Sequence, residues 1–415
     1  MIALVVTIVV LLILAGVSIS LILDNNGIIQ RSKDARREYG QARENEQADL
    51  NKVAGWIEKQ ANENGGGSIQ LPDATEKTKP YLPNGFIKDE GTNLDNGLVI
   101  KDSVGNEYVW VEVPRSIEIY TTAGLNITEF SAKELDSIKA DLVNYASDYR
   151  EDVYDDTWYD GCGIAETGYS VMYNKMLKSV YQNGGFWIGR YEIGIDENTE
   201  RSFGTDYWGD ERSTEGQTPV IKKNKIPYTW IRCSQAENLA ETFAPSGYTS
   251  SLMFGLQWDL VCKHLEVKGE NPGTSADSLQ TAIKEKGTDL GNYSDASFSV
   301  TNVDAMYSED RGASWKKIID EENKEYIKVS EKDVLLTTGA EERNSMLNIY
   351  DLAGNVYELT LEYAEYSTPV SSRGMGCSNP GRYGSIATRN SDPRTPGSRN
   401  KTYSSWSSGA RVTLY

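Results

Sequence analysis

Hydrophobic and polar positions divide the chain at Asp24. Residues 1–23 read MIALVVTIVVLLILAGVSISLIL, without one charged side chain. As a helix they extend about 34 Å, enough for a hydrocarbon core of roughly 30 Å. The hydroxyls of Thr7, Ser18 and Ser20 can bond back to the helix backbone. A core helix would show a polar face, and a signal peptide would be shorter with a basic start. The pattern therefore predicts a transmembrane segment over 1–23. From Asp24 to Asn64, Ala35, Ala42, Leu50, Val53, Ile57 and Ala61 recur at three-, four- or seven-residue steps, predicting a continuing polar helix over 24–64. Gly65-Gly66-Gly67-Ser68 then opens a flexible linker over 65–92, where Pro72, Pro80, Pro83 and Asn84-Gly85 mark an extended connector.

Beyond the linker the periodicity is mixed. Leu98-Val99-Ile100 and Tyr108 to Val113 are strand-like around a Gly105-Asn106 turn, which predicts a hairpin. Residues 131–150 and 168–182 read as helices, and Phe186 to Ile193 as a strand. The acidic loop 151–161 could bind a cation or simply be solvated. Ser234 to Phe243 reads as a helix capped by Ser234, with Glu237 at the capping-box position. Ser251 to Glu266 reads as another, with Leu256, Leu260, Val261 and Leu265 on one face and His264 packed among them. Residues 268–340 alternate polar loops and short strands. The fold class expected is α+β: a long N-terminal helix followed by one domain over 93–415.

Charge narrows the partners. The formal net charge is −19, and no basic stripe occurs, which argues against nucleic acid. Tyr occurs 25 times and Trp nine times, a usage that suits extracellular recognition. Four cysteines, Cys162, Cys233, Cys262 and Cys377, have no metal-ligand spacing. They allow three disulfide pairings or four free thiols. The single histidine, His264, argues against a His-based metal centre or a Ser-His-Asp triad.

The apolar run, the following NNGII and the Ala- and Arg-containing polar helix resemble the N-terminal helix of Gram-positive type IV pilin-like proteins. That resemblance implies a helix that packs with other pilin subunits or waits in the membrane, with a head outside the cell. Two features depart from it: there is no basic leader ending in Gly, and no Glu near the start. Arg31, Lys33, Arg36 and Arg37 follow the span and none precedes it, which by the positive-inside rule puts the tail in the cytoplasm. The reading adopted is that a basic leader precedes this sequence, so the expected location is membrane-anchored at the cell surface or in a pilus.

The remainder resembles the formylglycine-generating, sulfatase-modifying family, whose fold is C-type-lectin-like. The resemblance rests on GGFWIGRYEIG at 184–194, IPYTWIRCSQAENLAETF at 226–243, GLQWDLVCKHL at 255–265, YDLAGNVYEL at 350–359, Arg373 to Gly376 and Gly409 to Val412. It implies a structural calcium ion held by Asp351, Gly354, Val356 and Glu358, hard oxygen ligands of the right kind. The alternative is that Gly354-Asn355 is a turn and Glu358 accepts hydrogen bonds in the core. The family's chemistry is not matched. Its copper-binding cysteine pair has no counterpart over Gly384 to Asn390, Cys377 stands alone, and the related iron branch needs absent histidines. No catalytic residue and no redox cofactor are expected.

The segment 373–415 resembles the variable tail of proteins diversified by retroelements, which use this lectin-like scaffold. The resemblance implies an exposed ligand-binding face of Ser378, Asn379, Arg382, Tyr383, Ser385, Thr388, Asn390, Ser391, Asp392, Ser404, Ser405 and Trp406, with Arg389 and Arg411 as scaffold. Aromatic residues would give contact area and Ser and Asn adaptable hydrogen bonds. The functional expectation is a non-catalytic recognition protein or adhesin for an extracellular protein or glycan. The alternatives are a copper-dependent formylglycine-generating oxidoreductase and a ligand-free minor structural pilin.

Overall fold

The computed structural model describes residues 68–151, 154–202, 208–209, 211–319, 326–330, 332–364, 370–390 and 404–415. The helices expected over 1–23 and 24–64 lie outside the described residues. Within the described residues the two largest of the eight sheets and six α-helices surround the core. The helices are α1 (Ala132–Tyr145), α2 (Glu166–Asn183), α3 (Cys233–Glu241), α4 (Gly255–Lys268), α5 (Leu279–Glu285) and α6 (Gly287–Leu290).

The first sheet has six antiparallel strands in the order Ser250–Leu252, Val412–Leu414, Gly185–Gly189, Glu107–Glu112, Val99–Lys101, Ile87–Lys88. Its middle strands are apolar on both faces, so they are buried on both. Trp110 and Trp187 are paired across them, with ring centroids 4.9 Å apart. α2 packs against the Gly185–Gly189 strand and α4 against Glu107–Glu112.

The second sheet runs Arg389–Asn390, Val370–Arg373, Tyr357–Ala364, Ser408–Ala410, and Tyr154–Asp155 also pairs with Tyr357–Ala364. The chain passes from the second sheet to the first at Arg411, between Ser408–Ala410 and Val412–Leu414. The buried Arg411 guanidinium joins the two sheets. It donates to Glu358 of the second sheet at 2.6–3.1 Å and to the Gly189 carbonyl of the first at 2.9 Å.

The expected hairpin is present, with Val99 opposite Val109. Its loop closes because the Asp102 carboxylate accepts the Val104 and Asn106 N–H groups at 3.0 and 2.8 Å. Other expectations are corrected. Residues 69–88 are more than a connector. Ile69, Leu71, Tyr81, Leu82 and Phe86 are buried, and the compact unit is Gly67–Tyr415. Ser250–Leu252 is a strand rather than the start of α4. α3 begins at Cys233, so Ser234 is not its cap. Gln235 accepts the Arg232 N–H at 3.1 Å, while Glu237 accepts the Leu252 N–H at 2.8 Å.

The fold-class and location expectations also need correction. Among the described residues no helix is long and apolar enough to cross a membrane. The longest, α2, has 18 residues but carries Glu166, Lys175 and Lys178. The architecture established is a mixed α+β body. The structure gives no support to a membrane-spanning helix or to a membrane-anchored, cell-surface location.

Candidate functional site

The C-terminal segment is pinned to the body before it reaches the surface. The Trp258 indole on α4 donates to the Ile386 carbonyl at 2.9 Å. At the end of α5, the Ile283 carbonyl accepts the Ala387 N–H and the Ala282 carbonyl accepts the Ser385 hydroxyl, both at 3.2 Å. The next turn, Gly381–Tyr383, docks on the start of α6. The Asp295 carboxylate there accepts the N–H groups of Gly381 at 2.7 Å and Arg382 at 3.3 Å, and the Thr288 hydroxyl at 2.9 Å. With the backbone held inward, the side chains of Arg382 and Tyr383 face outward. Tyr383 is 72% exposed, and the Arg382 guanidinium lies 5.0 Å from its ring centroid.

Two clefts adjoin this ridge. One, of about 600 Å³, is lined by Lys284, Lys286, Thr288, Asp289, Arg382 and Tyr383 among others. The second, of about 360 Å³, is lined by Arg150, Glu151, Lys284, Tyr383, Thr388 and Arg389 among others. Lys284 and Tyr383 line both. Arg389 forms part of the second cleft's floor but is spent on structure, since its donors go to Glu362, Asp259 and the Tyr149 carbonyl. Lys284 and Lys286 pair with no carboxylate among the described residues. With Arg382 they are the cations of the first cleft, which Glu285 and Asp289 also line.

The twelve expected ligand residues do not share a face. Arg382 and Tyr383 are exposed and Thr388 half-buried at the second cleft. Ser378 and Asn379 are half-buried, and the Asn379 amide oxygen is taken by the Tyr357 hydroxyl. The Asn390 backbone pairs opposite Ser372, and its side chain, Ser391 and Asp392 lie outside the described residues. Ser385, Ser404, Ser405 and Trp406 are buried, and their placement on an open face is corrected. Ser404–Ser405 is a strand paired with Trp208–Gly209, and Trp406 packs with Trp230, Leu335, Val356 and Cys377. Arg389 and Arg411 are scaffold, as their burial and ion pairs show. Sequence reading missed Lys284, Lys286 and Asp289. The only local signal is a short charged helix within a stretch read as loops and strands.

The residues implied for calcium do not fit a cation. Both Glu358 oxygens accept from Arg411, so a guanidinium already stands where a metal would need that carboxylate. Asp351 Oδ2 accepts the Gly339 N–H at 2.6 Å. Asp351, Gly354 and Asn355 all have left-handed φ values, of 59°, 76° and 59°. This winding lets Asn355 bond Asn292, Leu336 and Glu192. The motif is therefore a buried structural turn.

All four cysteines are free and buried, and burial pushes the Cys377 thiol well above its usual range. Burial also drives His264 down to about 3, leaving a neutral ring whose Nδ1 accepts the Glu112 N–H at 3.3 Å. Comparison of the chain with protein-family models, with curated proteins and with solved structures finds no match.

Proposed function

We propose that this is a non-catalytic recognition protein whose ligand docks on the Arg382–Tyr383 ridge and the two clefts beside it. The observation that carries this reading is an aromatic ring, 72% exposed, at the tip of a turn whose backbone is already fixed. Such a ring offers contact area at low entropic cost, because little remains to be ordered on binding. Lys284 and Lys286, without carboxylate partners among the described residues, favour a ligand with a negatively charged group beside an apolar or ring face. The resemblance of the tail to a displayed, ligand-contacting segment supports the same surface, narrowed to its exposed part.

The test is binding of the full chain to arrays of proteins and glycans, with Tyr383→Ala and Arg382→Ala alongside. An exposed aromatic anchor is worth about 1–2 kcal/mol, so affinity for the retained ligand should fall roughly five- to thirtyfold. Undiminished binding by both variants would overturn the proposal.

A further inference from the structure

Four cysteines allow three pairings on paper, and the fold brings the segments that carry two of them into contact. Cys162 ends the short turn Asp160–Cys162, and Cys233 is the first residue of α3. The residues that follow them touch. A Cβ built on Gly163 would lie 2.8 Å from Ser234 Cβ and 3.3 Å from its Cα, at a glycine with φ +78°. Tyr159 touches each thiol from a different end, Cys162 with its backbone and Cys233 with its hydroxyl. Cys162 Sγ donates to the Tyr159 carbonyl at 3.1 Å, and Cys233 Sγ shares a hydrogen bond with the Tyr159 hydroxyl at 3.3 Å. The other two cysteines have different surroundings. Cys262 lies on α4 near Arg373 and Asp259, and Cys377 packs in the Trp230–Trp406 cluster.

We infer that Cys162 and Cys233 form a thiol pair that closes into an intramolecular disulfide, leaving Cys262 and Cys377 reduced. The contact between Gly163 and Ser234 joins the two backbones one residue beyond each cysteine, so closing the bond asks for a short movement of the Asp160–Cys162 turn. The oxidant is a small-molecule disulfide such as oxidised glutathione. One thiolate attacks it, forming a mixed disulfide and releasing one reduced glutathione. The second thiolate displaces the other glutathione and completes the protein S–S bond. In sum, two thiols and one glutathione disulfide give one protein disulfide and two reduced glutathiones, a transfer of two electrons. Burial raises both thiols above the ordinary range, so exchange is slow in the closed structure and fast during folding, when the turn is open. The bond would tether the Asp160–Cys162 turn to the start of α3 and close a loop that contains α2 and the Gly185–Gly189 strand.

The experiment refolds the full chain in oxidising and in reducing glutathione buffers, followed by thiol alkylation and peptide mass mapping. In the oxidising buffer two thiols per chain should disappear. A single linked species joining the Cys162 and Cys233 peptides should appear, and the melting temperature should rise by several degrees. Cys262→Ser should leave the linkage intact, and Cys233→Ser should abolish it. A linkage through Cys262 or Cys377, or four thiols still free after oxidative refolding, would overturn the inference.

Discussion

At the scale of single residues, Arg411 carries the largest burden. Three buried carboxylates, Glu192, Asp351 and Glu358, act on this one guanidinium. Burial raises all three, Asp351 to about 6 and Glu192 well above the usual range. Groups raised in the folded state contribute stability below their unfolded pKa and lose it as pH rises through the folded value. Arg411→Met leaves those carboxylates uncompensated and should cost about 3–5 kcal/mol. Chemical denaturation should show a smaller deficit at pH 5 than at pH 8, because protonation relieves the repulsion. Glu237 offers an independent check. Burial pushes it to about 8, and its Oε1 has no hydrogen-bond partner among the described residues. Stability therefore falls as pH rises from the ordinary carboxylate range to about 8. Glu237→Gln should raise the melting temperature at pH 8 and leave it unchanged near pH 5. Glu362 works in the opposite sense. Burial would raise it, but Arg389, Arg373 and Arg150 outweigh that and hold it at about 2. Its contribution is present at neutral pH and is lost as pH falls toward 2.

At the scale of elements, the site depends on how one turn meets two short helices. A Cβ on Gly381 would lie 2.2 Å from the Thr288 backbone nitrogen, and one on Gly287 would lie 2.0 Å from the Gly384 carbonyl oxygen. Gly381→Ala should therefore shift the turn, cost about 1–3 kcal/mol in thermal unfolding and weaken ligand binding, although residue 381 is itself buried. The periodic elements were legible in the sequence. The Val99–Glu112 hairpin, α1, α2 and α4 follow from alternation and three-to-four spacing. Less legible were α5 and α6, whose seven and four residues are too short for periodicity to register. The tail misled for a physical reason. Ser404 and Ser405 are polar by type, yet both pair by backbone with Trp208–Gly209, and the Ser405 hydroxyl bonds Ser407 and Ser408, so the core accepts them. Composition alone cannot separate a displayed serine from a satisfied buried one. The lysines facing Tyr383 come from a segment far away in sequence, so only the fold could bring them there.

At the scale of the whole molecule, the charge distribution is uneven. The chain carries a formal charge of −19, yet Lys284, Lys286 and Arg382 gather at one ridge. The same clefts are also lined by Glu285 and Asp289, and by Asp148 and Glu151, so the ridge is mixed in sign and its lysines act on a ligand only at close range. Contacts with these exposed lysines are screened by salt. Raising ionic strength from 0.05 to about 0.5 M should weaken binding, and Lys284→Ala with Lys286→Ala should remove that part of the dependence while preserving the fold by circular dichroism. The most direct test of the account is a protection map. The full chain is bound to the array component it retains, and tyrosine and lysine modification is quantified by mass spectrometry with and without that ligand. The account predicts protection concentrated at Tyr383, Lys284 and Lys286. Protection elsewhere, such as at a separate cleft lined by Trp158, Tyr169, Tyr173 and Lys139 among others, with Tyr383 equally reactive in both samples, would contradict it.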